Sequence, residues 1–201
     1  MIMMKAVSST FTAIVAIIVA IVAVGVGVYS YVEYQNLTQQ LSAPPTTTTT
    51  SMQKNLLPYD NASKTVFVTI ESLNTGNPFN FNGTSNGALI IYIPAGYKLS
   101  LTYINLQSLT HNLILLQNSS PTPNNADIAK FGTIITAVGT SASSYQTNGI
   151  SSGQKDTAVS PTLNQGTYML VCGILGHAES GMWAVVVVSS SVSQPYYVIS
   201  S

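Results

Sequence analysis

The segment Leu170 to Trp183, LVCGILGHAESGMW, holds the only cysteine of the chain, one of its two histidines and a methionine. Cys172, His177 and Met182 follow one another at intervals of five residues. Thiolate, imidazole and thioether together suit copper, whereas magnesium and calcium favour oxygen ligands. The other histidine, His111, ends a strand within SLTHNLIL and can bring a second imidazole from elsewhere in the fold. Two imidazole nitrogens and a thiolate in a near-trigonal plane, with a long axial thioether, make a blue-copper electron-transfer centre.

A plainer reading of Cys172 is a small buried hydrophobe, a common fate of free cysteine. Outside a cell, however, a lone thiol has no intramolecular disulfide partner and oxidises unless it is buried or bound. The metal reading accounts for the cysteine and both histidines at once and is preferred. Glu179 is a weaker carboxylate alternative on the same loop, and Trp183 reads as core, with electron tunnelling as the alternative.

Such a site needs a scaffold that brings His111 to the 172–182 loop. From about Leu56 the sequence consists of short runs rich in Val, Ile, Thr, Tyr and Leu between turn clusters. Strands are expected over Thr65–Leu73, Ala88–Ile93, Lys98–Leu106, Asn112–Gln117, Thr167–Cys172 and Trp183–Ser189. The stretch from Asn118 to Gln165 reads as mostly loop, with room for a short helix over Asn125–Phe131. The tail from Gln194 to Ser201 reads either as a last edge strand or as a docking segment. The pattern predicts an all-β sandwich or barrel of about seven or eight strands.

Charged residues make up only 6% of the 201 residues: six lysines, no arginine, six acidic residues, net charge zero. This excludes a nucleic-acid binder, which needs clustered basic residues. With 46% hydrophobic residues the chain also does not have the composition of a disordered protein. A surface so poor in carboxylates changes charge little on acidification and suits an acidic exterior.

Phe11 to Val32 is a 22-residue run without charge, long enough as a helix to cross about 30 Å of hydrocarbon. A cleaved secretory signal is the rival reading, but its apolar region is typically about 7 to 15 residues. Lys5 precedes the run and Glu33 follows it, so the positive-inside rule places the rest of the chain outside the cell. Residues 1–35 are therefore expected to be a membrane anchor, 36–55 a Thr- and Pro-rich linker and 56–201 the folded domain. Sequons at Asn36, Asn61, Asn82 and Asn118 fit an exported protein.

His111-Asn112 after a strand, and Cys172-x4-His177-x4-Met182 before the last strand, resemble the cupredoxins. The four-residue spacings, with FNFNGTSNGALIIYIPAGYKLSLTYINLQSLTHNLIL and YMLVCGILGHAESGMW, are most similar to the rusticyanin group and the archaeal sulfocyanins. The resemblance implies a cupredoxin-like Greek-key β-sandwich behind a transmembrane helix, with one type 1 copper. It implies His111, Cys172 and His177 as equatorial ligands and Met182 as the axial one. It also implies that Asn112 hydrogen-bonds across to the ligand loop, and that the backbone N–H groups of Asn112 and Ile174 approach the sulfur. The function expected is a membrane-anchored, extracellular carrier of single electrons in an aerobic respiratory chain. Its redox partners would be a respiratory complex as donor and a terminal oxidase as acceptor. A copper enzyme would need more histidines than the chain has; a copper chaperone or storage protein is the alternative.

Overall fold

The computed structural model describes residues 28–30, 32, 33, 35 and 53–200. The chain divides into two compact units, Met1–Thr50 and Ser51–Ser201. In the first, the described residues are helical and the Tyr29 hydroxyl donates to Glu33 Oε1 at 3.1 Å. Among the described residues no helix is long and apolar enough to cross a membrane. Most of the expected anchor, Phe11–Val32, and nearly all of the linker with its Asn36 sequon lie outside the described residues.

The second unit carries eleven strands. These are β1 (Asn55–Leu56), β2 (Tyr59–Asp60), β3 (Thr65–Ser72), β4 (Leu89–Pro94), β5 (Lys98–Asn105), β6 (Leu113–Asn118), β7 (Gly132–Val138), β8 (Lys155–Val159), β9 (Gly166–Val171), β10 (Trp183–Ser189) and β11 (Tyr196–Ile199). They form a seven-stranded sheet, β1-β11-β4-β10-β9-β6-β7, and a four-stranded sheet, β2-β3-β5-β8. β3 runs parallel to β5 and β4 parallel to β10; the other pairs are antiparallel.

Eleven strands exceed the seven or eight expected. β1 and β2 are two residues each, too short to show a period. β7 and β8 fall in the stretch read as loop: β8, KDTAV, lies at a sheet edge with only one residue not fully exposed, so it shows no alternation. The expected helix over Asn125–Phe131 shrinks to a 3-10 turn, Ile128–Lys130, capped by Asp127. β11 is an inner strand between β1 and β4, not an edge. Asn55, counted in the linker, is the first residue of β1.

Alternation from Val66 onward in β3 and throughout β5 sends Val66, Val68 and Ile70, and Leu99, Leu101 and Tyr103, into the space between the sheets. There they meet Leu89, Ile91 and Ile93 of β4 and Ala184, Val186 and Val188 of β10. β6 differs, since Leu113 to Leu116 are all buried. Its second face, with Met169, Val171 and Trp183, is covered by Ile128, Phe131 and Tyr145 from the 119–150 segment. A strand buried on both faces reads as a continuous apolar run, and LILL is one. Gly87 makes the turn into β4 with φ +75°, and a Cβ there would sit 2.3 Å from the Trp183 ring.

Candidate metal centre

Cys172 and Met182 stand at facing ends of neighbouring strands. β9 and β10 pair with Trp183 opposite Val171, and one residue further Cys172 N–H donates to the Met182 carbonyl at 3.0 Å. The nine-residue excursion between them folds back on itself: His177 N–H donates to Ile174 O, Met182 N–H to His177 O and Ser180 N–H to Gly176 O. Backbone bonds also hold it from outside: Leu175 N–H donates to Gln146 O, Gly176 N–H to Ala126 O, and Asn86 N–H to Gly181 O. His177 is thereby returned to the side of Cys172.

β6 lies antiparallel beside β9 with Ile114 opposite Val171, so the residues just before β6 face the ligand loop. Asn112 uses this register: its Oδ1 accepts from Gly173 N–H at 2.6 Å. Its Nδ2 donates to the carbonyls of Tyr145 and Asn148 at 2.8 and 2.6 Å. This is the cross-loop bond expected of Asn112. His111 is pinned through its backbone to Ile150, which donates to His111 O at 2.8 Å.

Three donor atoms converge. His111 Nδ1 lies 3.1 Å from His177 Nδ1, and Cys172 Sγ lies 3.7 Å from the first and 3.4 Å from the second. His111, Cys172 and His177 form a group able to hold a metal ion. His111, Cys172 and Met182 are fully buried, while His177 is half-buried. Glu179 is exposed and outside the group. Trp183 belongs to the second apolar cluster, as core.

Burial dominates the electrostatics. It pushes the Cys172 thiol up to about 12, partly countered by the backbone N–H groups of Asn112 and Ile174, the two donors expected near the sulfur. It pushes His111 down to about 4, helped by the charge His177 would carry, and lowers His177 as well. Both imidazoles are thus kept neutral, the state that ligates a cation.

Two contacts escape sequence reading. Gln107 Oε1 lies 2.7 Å from His111 Nε2, and the Phe79 ring packs on His177 with centroids 4.9 Å apart. Both residues sit in loops, where no periodicity marks a side chain as facing the site.

Residues 52–199 match the family described as Sulfocyanin (SoxE) domain, and residues 4–52 match Sulfocyanin, N-terminal. The chain belongs to the sulfocyanin family. A sulfocyanin of Sulfolobus acidocaldarius is 56% identical over 144 residues, 71% of this chain and 72% of the relative. Among solved structures, rusticyanin from Thiobacillus ferrooxidans is 23% identical, covering 68% of this chain and 88% of that one at a TM-score of 0.45. Auracyanin from Roseiflexus castenholzii is 19% identical, covering 61% and 96% at 0.43. Sulfocyanins are cupredoxins, blue copper proteins that bind one type 1 copper and carry electrons. The donor set agrees: a buried thiol and two neutral imidazoles meet, and the thiol shares an apolar cluster with the Met182 thioether.

Proposed function

We propose that the chain is a membrane-anchored, outward-facing blue copper protein that carries single electrons in an aerobic respiratory chain, between a quinol-oxidising complex and a terminal oxidase. His111, Cys172, His177 and Met182 would hold the copper. The observation that carries this reading is the convergence of the three donor atoms within 3.7 Å of one another. When bound, the copper supplies a one-electron couple between Cu(II) and Cu(I).

The protein's part is to hold the donors still. The loop's own hydrogen bonds and the Asn112 bridge resist the rearrangement that each oxidation state of copper would otherwise prefer, which keeps reorganisation small. His177 is the half-buried ligand and offers the shortest path to the surface. Leu175, two residues from it on the same loop, is 49% exposed, an apolar contact suited to brief docking. Small, weak contacts fit a carrier that must leave as readily as it arrives.

Anchoring rests on the uncharged run Phe11–Val32 and on Lys5 before it. A tether confines the search to the membrane surface and raises the effective concentration of both partners. A chaperone or storage site should present its ligands for exchange, whereas His111, Cys172 and Met182 are fully buried.

The test is an optical and EPR spectrum of the Ser51–Ser201 unit loaded with copper(II), with Cys172→Ser as control. An intense thiolate-to-copper band near roughly 600 nm, absent from the control, is expected of a trigonal site. A colourless protein would end the electron-carrier reading.

A further inference from the structure

We propose that Gln107 is a positioning residue for His111, accepting the ring's Nε2–H and thereby presenting the Nδ1 lone pair to Cys172 and His177. The inference rests on His111 being a copper ligand and adds the residue that sets its tautomer and tilt.

The assignment follows from which atoms can donate. Gln107 is 4% exposed, and its Nε2 donates to the Leu73 carbonyl at 2.6 Å. A carbonyl oxygen only accepts, so the amide nitrogen is fixed on the Leu73 side and Oε1 on the His111 side. Oε1 stands 2.7 Å from His111 Nε2, and it too only accepts. Nε2 must therefore carry the hydrogen, and in a neutral imidazole the lone pair is then on Nδ1. Nδ1 is the nitrogen that faces the cluster.

Gln107 is itself held by the structure that holds His111. Its backbone N–H donates to Asn105 Oδ1 at 2.9 Å. The Nδ2 of the same Asn105 donates to Ile150 O at 2.8 Å, and Ile150 is the backbone partner of His111. The contacts close a ring: His111 main chain, Ile150, Asn105, Gln107 and back to the His111 imidazole. Ser72 Oγ, donating to Asn105 Oδ1 at 2.7 Å, ties the ring to the end of β3. The imidazole can neither rotate nor exchange tautomer without breaking this circuit, so the donor is aimed before any metal arrives. Partners that orient a ligating histidine typically matter by about 10- to 100-fold in metal affinity.

The experiment is a long-range 1H–15N correlation on the copper-free, full-length 15N-labelled chain, followed by copper(II) titration of variants. His111 is expected as the Nε2–H tautomer in the wild type and in Gln107→Glu, which keeps an acceptor. Gln107→Leu should show mixed tautomers and bind copper(II) about 10- to 100-fold more weakly. An Nδ1–H tautomer in the wild type overturns the inference without recourse to any variant. So does a Gln107→Leu protein that keeps both tautomer and affinity. If Gln107→Leu does not fold, the wild-type and Gln107→Glu tautomers decide. A His111→Ala protein with unchanged copper affinity would overturn the ligand reading and this inference with it, whereas failure in the Gln107 variants leaves the ligand reading standing.

Discussion

His111 and His177, 66 residues apart in sequence, place their Nδ1 atoms 3.1 Å apart. Two basic nitrogens this close repel through their lone pairs unless a proton or a cation lies between them. The Cys172 sulfur, within 3.7 Å of both, adds a third electron-rich atom.

Metal binding should release a proton. Burial holds the thiol up to about 12, so Cys172 is protonated at neutral pH, yet it ligates as thiolate. Titrating the copper-free protein with zinc(II), a redox-inert stand-in, in buffers of different ionisation enthalpy should report about one proton released per metal bound. A binding heat independent of the buffer would contradict this.

The copper-free protein should lose stability on acidification. His111 falls from an ordinary 6.5 to about 4 on folding, and His177 is also lowered. A histidine whose folded value is depressed contributes stability that is fully present above its unfolded value and is lost as pH falls through the folded one. Thermal unfolding followed from pH 7.5 to 4 should show Tm dropping below about pH 6.5. The copper-loaded protein should start from a higher Tm and fall at least as steeply, because its ligands hold no protons while the unfolded chain takes them up, the thiol included.

Asn112→Ala should destabilise the domain by about 2 to 4 kcal/mol, since it strips partners from Gly173 N–H and from two carbonyls at a fully buried position. Chemical denaturation measures the loss. A change below about 0.5 kcal/mol, the size of an ordinary surface substitution, would mean that the two ligand segments are joined by something else.

Met182→Leu conserves volume at a fully buried site and should cost less than about 1.5 kcal/mol. The blue band should survive and the potential should rise, because loss of the Met182 thioether would withdraw a donor that favours the oxidised state. Voltammetry on the two proteins decides the sign.

Gly87→Ala tests the scaffold away from the metal. A Cβ at φ +75° would meet the Trp183 ring at 2.3 Å, and the combined backbone strain and overpacking should cost about 2 to 5 kcal/mol. A wild-type melting curve would show that the indole can move aside.

The ligand candidates were legible because their types are rare. With one cysteine and two histidines in the chain, few alternative clusters existed to confuse the reading. A strand with one wet face, such as β5, announced itself by alternation. β8 did not, because an exposed edge strand has no inner face to mark. Gln107 and Phe79 were also hidden, because what they touch depends on how the 73–87 and 106–110 loops fold over the site, and loop conformation leaves no periodic trace. Asn112 was found by family resemblance, and the pairing of Ile114 with Val171 gives the physical reason for its position.

The two-residue strand β1 joins the last strand, Asn55 opposite Tyr197 and Leu56 opposite Tyr196. The contact continues outside the ladder, since Leu57 N–H donates to Pro195 O and the Lys54 ammonium sits 4.5 Å above the Tyr196 ring. Any mechanical pull transmitted along the chain ahead of Asn55 therefore reaches the sandwich through the β1–β11 seam. That seam adjoins β4, with β10 between it and β9. A tug ahead of Asn55 would fray β1 before it strained the geometry around Cys172, so the site should be indifferent to tension at that end of the domain.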